Sequence, residues 1–409
     1  MGYVAVRGGG IAIEESLKLL EFERVRSSAA WGTDEIEHTF PELIDQVMGE
    51  ASLYAPRLAA LALKQAQGSP DEAVFLLRAF RSTLERPYVS RPVDTAELRI
   101  SRRISAAFKD VPGGQVLGAT RDYSHRLLAF DLETEGTEEL ADKRAELARH
   151  FAEIASPREG DAAGRSDGTL PRVLDYLRAE GLVAHVSDDD GEPVDATMVP
   201  LTFPAPRSVR LQTLARGMTQ AVEALGYAAI RGFGPAHPTV GELRQGRAAV
   251  AVDHPLSPGG PEDAYYLGSV PLCEVESVFM DEGGSSSDAA AFASGQASAL
   301  SLAVGYGLVF GRAETKAIAM SVLDRCLDSD EVRYPTEDEE FVLYHVDGVE
   351  ATGFISHLKL PHYVTFQSKL SSVRGTRDTA VIDPASDRTA DQAAAAALES
   401  KEACNAAAL

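Results

Sequence analysis

Apolar positions along the first 85 residues recur with helical spacing. Residues 3–6 alternate like a short strand, Gly8-Gly9-Gly10 makes a turn, and Ile11 to about Arg24 reads as a helix. Three further helices are expected to start at Pro41, Pro56 and Pro70, since proline suits the first helical turn. Asp71 and Glu72 in the first turn of the third favour the helix dipole, and Val74, Leu77, Phe80 and Leu84 form its apolar face. From Ile100 the pattern shifts towards strands and tight turns: Ile100 to Phe108, Pro112-Gly113-Gly114, then an extended piece before Asp122-Tyr123. Residues 138–151 predict a charged amphipathic helix with Leu140, Leu147 and Phe151 on one face, and 158–168 a loop. Leu211, Leu214, Ala215, Met218, Val222 and Leu225 predict one helix ended by Gly226. Strands are expected at 248–252, 265–270, 274–280 and 300–310, and a buried helix face at Ile318, Ala319, Val322, Leu323 and Cys326.

These patterns give an α+β fold: an N-terminal strand and helical region over 1–95, packed on a mixed-sheet α/β body over 96–374. Within the body, the Ser/Gly/Ala-rich stretch 281–299 reads as a flexible insertion, and 375–409, rich in Ala, Asp and Ser, as a disordered tail. The chain is long enough for a real core, with 409 residues of which 44% are hydrophobic. Three scattered cysteines exclude a disulfide framework, and Cys326 reads as core filling. No apolar run reaches the roughly 20 residues of a membrane span, and the start has no signal-peptide pattern, so a cytoplasmic location is expected.

The formal charge of −23 argues against binding nucleic acid or an anionic membrane surface. That charge is unevenly spread. Residues 131–195 hold 18 acidic against 7 basic residues and 324–350 hold 10 against 2, whereas 78–126 hold 10 basic against 5 acidic. This positive island is either a specific anion site, such as one for a polyphosphate, or a set of arginines paired with the protein's own acids. Within it, Pro112-Gly113-Gly114-Gln115 is either an ordinary turn or a loop whose backbone approaches a ligand, with Lys109, Asp110, Arg121 and Asp122 around it. Gly8-x-Gly10 resembles half a dinucleotide fingerprint but has Ile13 at the third glycine position. Gly305-x-Gly307-x-x-x-Gly311 looks like a phosphate loop without the Lys-Ser/Thr that would complete one. His357 and His362 flank Pro361; they are either surface histidines or half of a tetrahedral zinc site.

Gly353–Val364 (GFISHLKLPHYV), Pro112–Gly118 (PGGQVLG) with Asp122-Tyr123, Phe203–Arg207 (FPAPR) and His237–Arg244 (HPTVGELR) together resemble subunit I of the bacterial carbon–phosphorus lyase core complex, the PhnI family. The likeness runs in order through most of residues 3–372. It departs at Ala313, where the family pattern has asparagine after Gly311-Arg312. It implies phosphonate catabolism, with adenine displaced from ATP by an alkylphosphonate to give α-D-ribose 1-methylphosphonate 5-triphosphate, and nucleosidase-like hydrolysis when the subunit acts alone. It implies subunits G, H, J, K and L as partners, a second copy of the chain, and a zinc ion held by His357 and His362 at the boundary with subunit J. Such chemistry needs a carboxylate near C1 of the sugar and donors for a triphosphate. Asp122 and Gln115 are the expected catalytic pair, and Arg102, Arg103, Lys109, Gly113 and Gly114 the expected phosphate and substrate contacts. A different reading is a non-catalytic scaffold whose histidine loop completes a partner's active site. A zinc hydrolase is disfavoured because the chain has no H-E-x-x-H helix.

Overall fold

The computed structural model describes residues 9–26, 30–155, 170–183, 191–234, 237–256, 263–281, 301–329 and 331–380. The expected strand at 3–6, the loop at 158–168, residues 282–299 of the insertion and the chain beyond 380 lie outside them. The chain divides into two compact units, one of residues 19–351 and one of 1–18 with 352–409.

The larger unit begins with α2 (Thr33–Thr39), α3 (Pro41–Ala51), α4 (Pro56–Gln65) and α5 (Pro70–Arg81), after α1 (Gly9–Arg24), which crosses the division. Each expected proline stands at the start of its helix, where a missing N–H costs nothing. Ser69 caps α5 by accepting the Glu72 N–H. Ile44, Val47, Met48, Ala59, Leu63, Val74 and Leu77 close into one core. The apolar face of α5 is shorter than its spacing suggested: the helix ends at Arg81, leaving Phe80 and Leu84 exposed. Likewise Leu140, Leu147 and Phe151 of α6 (Thr137–Ala155) are exposed.

The body is α+β as expected; among the described residues its four named strands are antiparallel, with a single parallel bridge from Val183 to Leu302 of β4. Four strands run in the order β1 (Arg99–Ile104), β2 (Thr239–Asp253), β3 (Ala264–Asp281) and β4 (Ser301–Phe310). Two strands expected at 265–270 and 274–280 are one, running through Pro271. Its carbonyl accepts from Gly311, and the register with β4 begins one residue later, at Leu272 opposite Phe310, so the missing N–H of Pro271 falls at the end of that ladder.

One helix expected over 211–225 is two. α8 (Arg207–Arg216) stops at Gly217 and α9 (Thr219–Ala228) follows, with α7 (Val173–Ala179) before them in the chain. The break is stabilised from elsewhere. Met218 donates to Val346, the Thr219 N–H donates to Glu50, and the buried Lys316 ammonium donates to the carbonyls of Ala215 and Gly217, which end α8. Gly226 does not terminate a helix; it lies within α9, where a Cβ would come 2.8 Å from the Cβ of Ala319.

α10 (Glu314–Cys326) lies across β4, and here the glycine run finds its use. A Cβ on Gly305 or Gly307 would sit 2.0 Å from the carbonyl oxygen of Ser321 or Ala317. These glycines are notches that admit the helix, not a phosphate loop. Ala319, Val322, Leu323 and Cys326 are buried as expected, with Ile318 packed against the core, and burial pushes the Cys326 thiol up to about 12. α11 (Glu339–His345), α12 (Gly348–Ser356) and α13 (Tyr363–Ala380) complete the described chain. α13 carries helix to Ala380, past the 375 at which a tail was expected. No helix among the described residues is long and apolar enough to cross a membrane.

Candidate functional site

Successive side chains on a strand point to opposite faces, so the adjacent Arg102 and Arg103 of β1 leave the sheet in opposite directions. Both are almost wholly buried. Arg102 donates from Nε to Glu314 at 2.7 Å, from Nη1 to the Leu117 carbonyl at 2.6 Å and from Nη2 to Asp122 at 2.6 Å. Burial opposes its charge, but Glu314 and Asp122 outweigh that and hold its pKa above the usual arginine value. Arg103 donates from Nε to Glu242, from Nη1 to Pro112 and Gly114 carbonyls at 2.7 and 3.0 Å, and from Nη2 to Pro171 at 2.7 Å. Every guanidinium nitrogen of the pair already has an acceptor. The expected phosphate contacts at Arg102 and Arg103 therefore do not fit; these side chains fasten the loop that follows.

That loop wraps the outer edge of β1. Residues 112–114 are tied to Arg103 on one face, Val116 and Arg103 exchange backbone hydrogen bonds at the edge, and Leu117 and Asp122 are tied to Arg102 on the other face. Gly113 and Gly114 both have φ near +80°, which the turn requires. A Cβ on Gly113 would strike Leu170 and Arg103, whereas the space beside Gly114 is open. The Gly114 N–H closes the turn on Val111, so it is not a free donor. Gln115 accepts from the Ser105 N–H, and both Gln115 and Lys109 are exposed. Asp122 is half exposed, held by Arg102 on Oδ2 and approached by Arg126 on Oδ1. The structure thus brings Gly113, Gly114 and Gln115 together and carries Asp122 round the strand edge from them.

The positive island is largely spent on the protein's own acids. Arg78 pairs with Asp347, Arg86 with Asp195, Arg91 with Asp253 and Arg121 with Glu42. Of the two readings of the island, internal pairing accounts for most of its arginines.

The face carrying Arg103 also holds residues that hydropathy did not pick out. Glu242 and Arg244 of β2 and Glu274 and Glu276 of β3 are all buried there, beside Tyr306 of β4. Glu274 Oε1 accepts from Thr95, Tyr306 and Arg172, and Glu276 Oε1 from Arg178. Burial, then the Glu274 carboxylate, push the Tyr306 phenol far up, so it stays protonated and donates. Charges at every second position (242 and 244, 274 and 276) are the signal in the sequence that marks this layer.

His357 and His362 lie in the smaller unit, around the single turn His357–Lys359 between α12 and α13. Their ring centroids are 5.6 Å apart. His357 Nδ1 is bonded to the Phe354 carbonyl, and His362 Nδ1 to the Leu360 carbonyl at 2.6 Å. A carbonyl can only accept, so each Nδ1 carries a proton, and Nε2 is the nitrogen by which the neutral ring would ligate. That donor set suits zinc as half a site. Among the described residues no third histidine, cysteine or carboxylate completes it.

Comparison with known proteins gives one answer over almost the whole length. The sequence profile of the family described as bacterial phosphonate metabolism protein (PhnI) matches residues 2–380. HtxH of Stutzerimonas stutzeri is 44% identical over 391 residues, covering 94% of this chain and 98% of the relative. The α-D-ribose 1-methylphosphonate 5-triphosphate synthase subunit PhnI of Rhizobium meliloti is 41% identical over 383 residues, 92% and 95% of the two chains. Its namesake in Escherichia coli is 40% identical over 383 residues, 91% and 97%. With the Gly-Gly loop and the histidine turn both inside the matched span, the chain belongs to the PhnI family of bacterial phosphonate metabolism proteins.

Proposed function

We propose that this chain is the synthase subunit of a carbon–phosphorus lyase system, acting with subunits G, H and L to displace adenine from ATP by an alkylphosphonate. The observation that carries this is the 40–41% identity, over more than nine-tenths of this chain, to two relatives named for that product. In the reaction a phosphonate oxygen bonds to C1 of the ribose as the C1–N9 bond breaks, and adenine leaves with a proton. Water in place of the phosphonate gives ribose 5-triphosphate and adenine, the nucleosidase-like activity of the subunit alone. Asp122, which accepts from Arg102 at 2.6 Å, would stabilise positive charge at C1. Gln115 and the Gly113 backbone would hold sugar or phosphonate oxygens, and Lys109 the triphosphate.

Zinc, which supplies a Lewis acid and a structural bridge when bound, would be held by the Nε2 atoms of His357 and His362, with the remaining donors from another subunit such as J. Subunit K and a second copy of this chain are the other expected partners. A scaffold role without chemistry is the second reading. Exposed Phe354, Ile355, Leu358 and Leu360 around the histidines favour it, because such side chains suit a partner-facing turn.

Chromatography of adenine released from ATP and methylphosphonate by the assembled G, H, I and L subunits tests the assignment. The wild type releases adenine, and Asp122→Asn lowers the rate roughly a hundredfold or more, as loss of one charge-stabilising group does. Full activity in Asp122→Asn removes Asp122 from the chemistry, and adenine release that needs no intact I subunit leaves the scaffold reading. Metal analysis of the complex carrying His357→Ala is expected to show zinc lost; unchanged zinc refutes the histidine site.

A further inference from the structure

Between the last turn of α1 and helices α2 to α4 lies a cavity of about 560 Å³, all of it within the larger unit. Trp31, Ile36, Phe40, Leu43 and Leu63 make its wall, and Glu23, Lys64 and Gln67 stand among them. Trp31 is the chain's one tryptophan. It stacks on Phe40 with ring centroids 5.2 Å apart and an interplanar angle of 17°, yet stays 54% exposed, and Phe40 stays 38% exposed. The helical core takes in Ile36, Leu43 and Leu63 but neither aromatic ring. The two largest apolar side chains of the region are thus turned to the cavity rather than spent on packing.

The volume suits one small organic molecule, since ligand pockets run from roughly 300 to 1,000 Å³. Phe40 covers one face of the Trp31 ring, and the exposure that remains leaves the other face to take a further ring. Lys64 is half-buried at the cavity, and among the described residues no acceptor meets its ammonium. Arg24, by contrast, is bonded twice to Glu21. An alkyl chain would leave Lys64 without an acceptor. A bare phosphate would lie on apolar side chains with the Glu23 carboxylate beside it. A purine offers a flat face to stack and ring nitrogens that accept, and its exocyclic amino group can donate to Glu23. The cavity also adjoins the loop that carries Asp122: Glu42, between Phe40 and Leu43 in the first turn of α3, accepts from Arg121 at 2.7 Å.

We propose that this cavity binds the purine ring of adenine, stacked on Trp31, with Lys64 donating to a ring nitrogen. That the purine is adenine rests on the ribosyl-transfer reading above; the ring site rests on the cavity itself. Two sources share this chemistry, the base of the reacting nucleotide and adenine after its release.

Fluorescence of the full-length chain reads the site directly, because Trp31 is its one tryptophan. Titration with adenine or AMP is expected to quench that emission, and ribose 5-phosphate, which lacks the ring, to leave it unchanged. In equilibrium dialysis Trp31→Leu is expected to weaken AMP binding roughly tenfold or more, and Trp31→Phe less than about threefold, the order that stacking requires. Lys64→Met is expected to weaken it roughly threefold to tenfold. Trp31 lies outside the helical core, so its variants keep the fold. Emission unmoved by adenine and AMP, or equal affinity in the wild type and Trp31→Leu, overturns the purine site and leaves the cavity to a side chain of another subunit. The assembled G, H, I and L subunits separate the two sources. Trp31→Leu raises KM for ATP if the cavity holds the reacting nucleotide, and raises only the inhibition constant of adenine if it holds the released base; either result supports the ring site. AMP binding at Trp31 in an assembly that releases no adenine from ATP overturns the ribosyl-transfer reading and supports the cavity as a purine site.

Discussion

The two faces of the four-stranded sheet are built from the same strands by opposite means. On the face against α10, glycines at 305 and 307 let a helix approach to contact, and Leu243, Cys273, Val275 and Val309 fill the remaining space. On the other face the same strands present Arg103, Glu242, Arg244, Glu274 and Glu276, equally buried but held by charge and hydrogen bonds, with the partly buried Tyr306 beside them. The first face is mostly close-packed shape, with Arg102, Glu314 and Asp122 paired at its edge. The second has directed donors and acceptors, some of them unmatched. The alternation of a strand lets one sequence keep its structural and its chemical requirements on neighbouring residues that face opposite ways, so a change to one need not disturb the other.

The comparison breaks most sharply at Arg103. Arg103→Met strands Glu242 in a buried layer and is expected to cost about 3–5 kcal/mol in a denaturant melt, most of it recovered when Glu242→Met is added. A small loss in the single variant would mean that this face is wet enough to solvate a carboxylate, and the contrast between the faces would fail. On the dry face, Gly307→Ala forces the Ala317 carbonyl and α10 away from β4 and is expected to cost about 1–3 kcal/mol with no change in ligand preference.

The smallest effect comes from Lys316, which stands on α10 among apolar neighbours. Burial lowers its pKa from 10.5 to about 8, with Glu50 working in the other direction. Between these two values the unfolded chain binds more protons than the folded one, so this group's contribution to stability rises with pH through that window and is least favourable below about 8. The stability difference between wild type and Lys316→Met, measured by denaturant melts at several pH values, should therefore move in favour of the wild type from pH 8 towards 10.5. A flat difference would place the ammonium in contact with water.

The dry face was largely legible in the sequence. Periodicity located α3, α4, α5 and α10, and the apolar runs located β3 and β4, because burial against hydrocarbon leaves a hydropathy signal. The charged face was not. β2 was expected only at 248–252, since its first half alternates Glu242 and Arg244 with apolar residues and reads as solvated, although both side chains are buried. The break at Gly217 was hidden for a related reason: the groups that satisfy it, Glu50, Lys316 and Val346, lie far away in the chain. Of the candidate site, sequence placed Gly113, Gly114 and Gln115 on one turn. It could not show that Arg102 and Arg103 are consumed in holding that turn, because a saturated arginine and a waiting one have the same letter. The histidine pair was visible as spacing, while the Nδ1 bonds that leave both Nε2 atoms available come from backbone carbonyls that a one-dimensional reading does not place.

The partners of Arg103 lie 9, 11, 68 and 139 residues away in the chain. The nearest two can form as soon as β1 and its loop close, but the others wait until the 170–179 segment and β2 have docked. Until then a charge destined for the interior stays in water, and its full set of bonds is complete only once all of these segments have docked. Interactions completed after the rate-limiting barrier slow unfolding without hastening folding. Losing Arg103 should shorten the lifetime of the folded chain while leaving the speed at which that fold is first reached almost untouched.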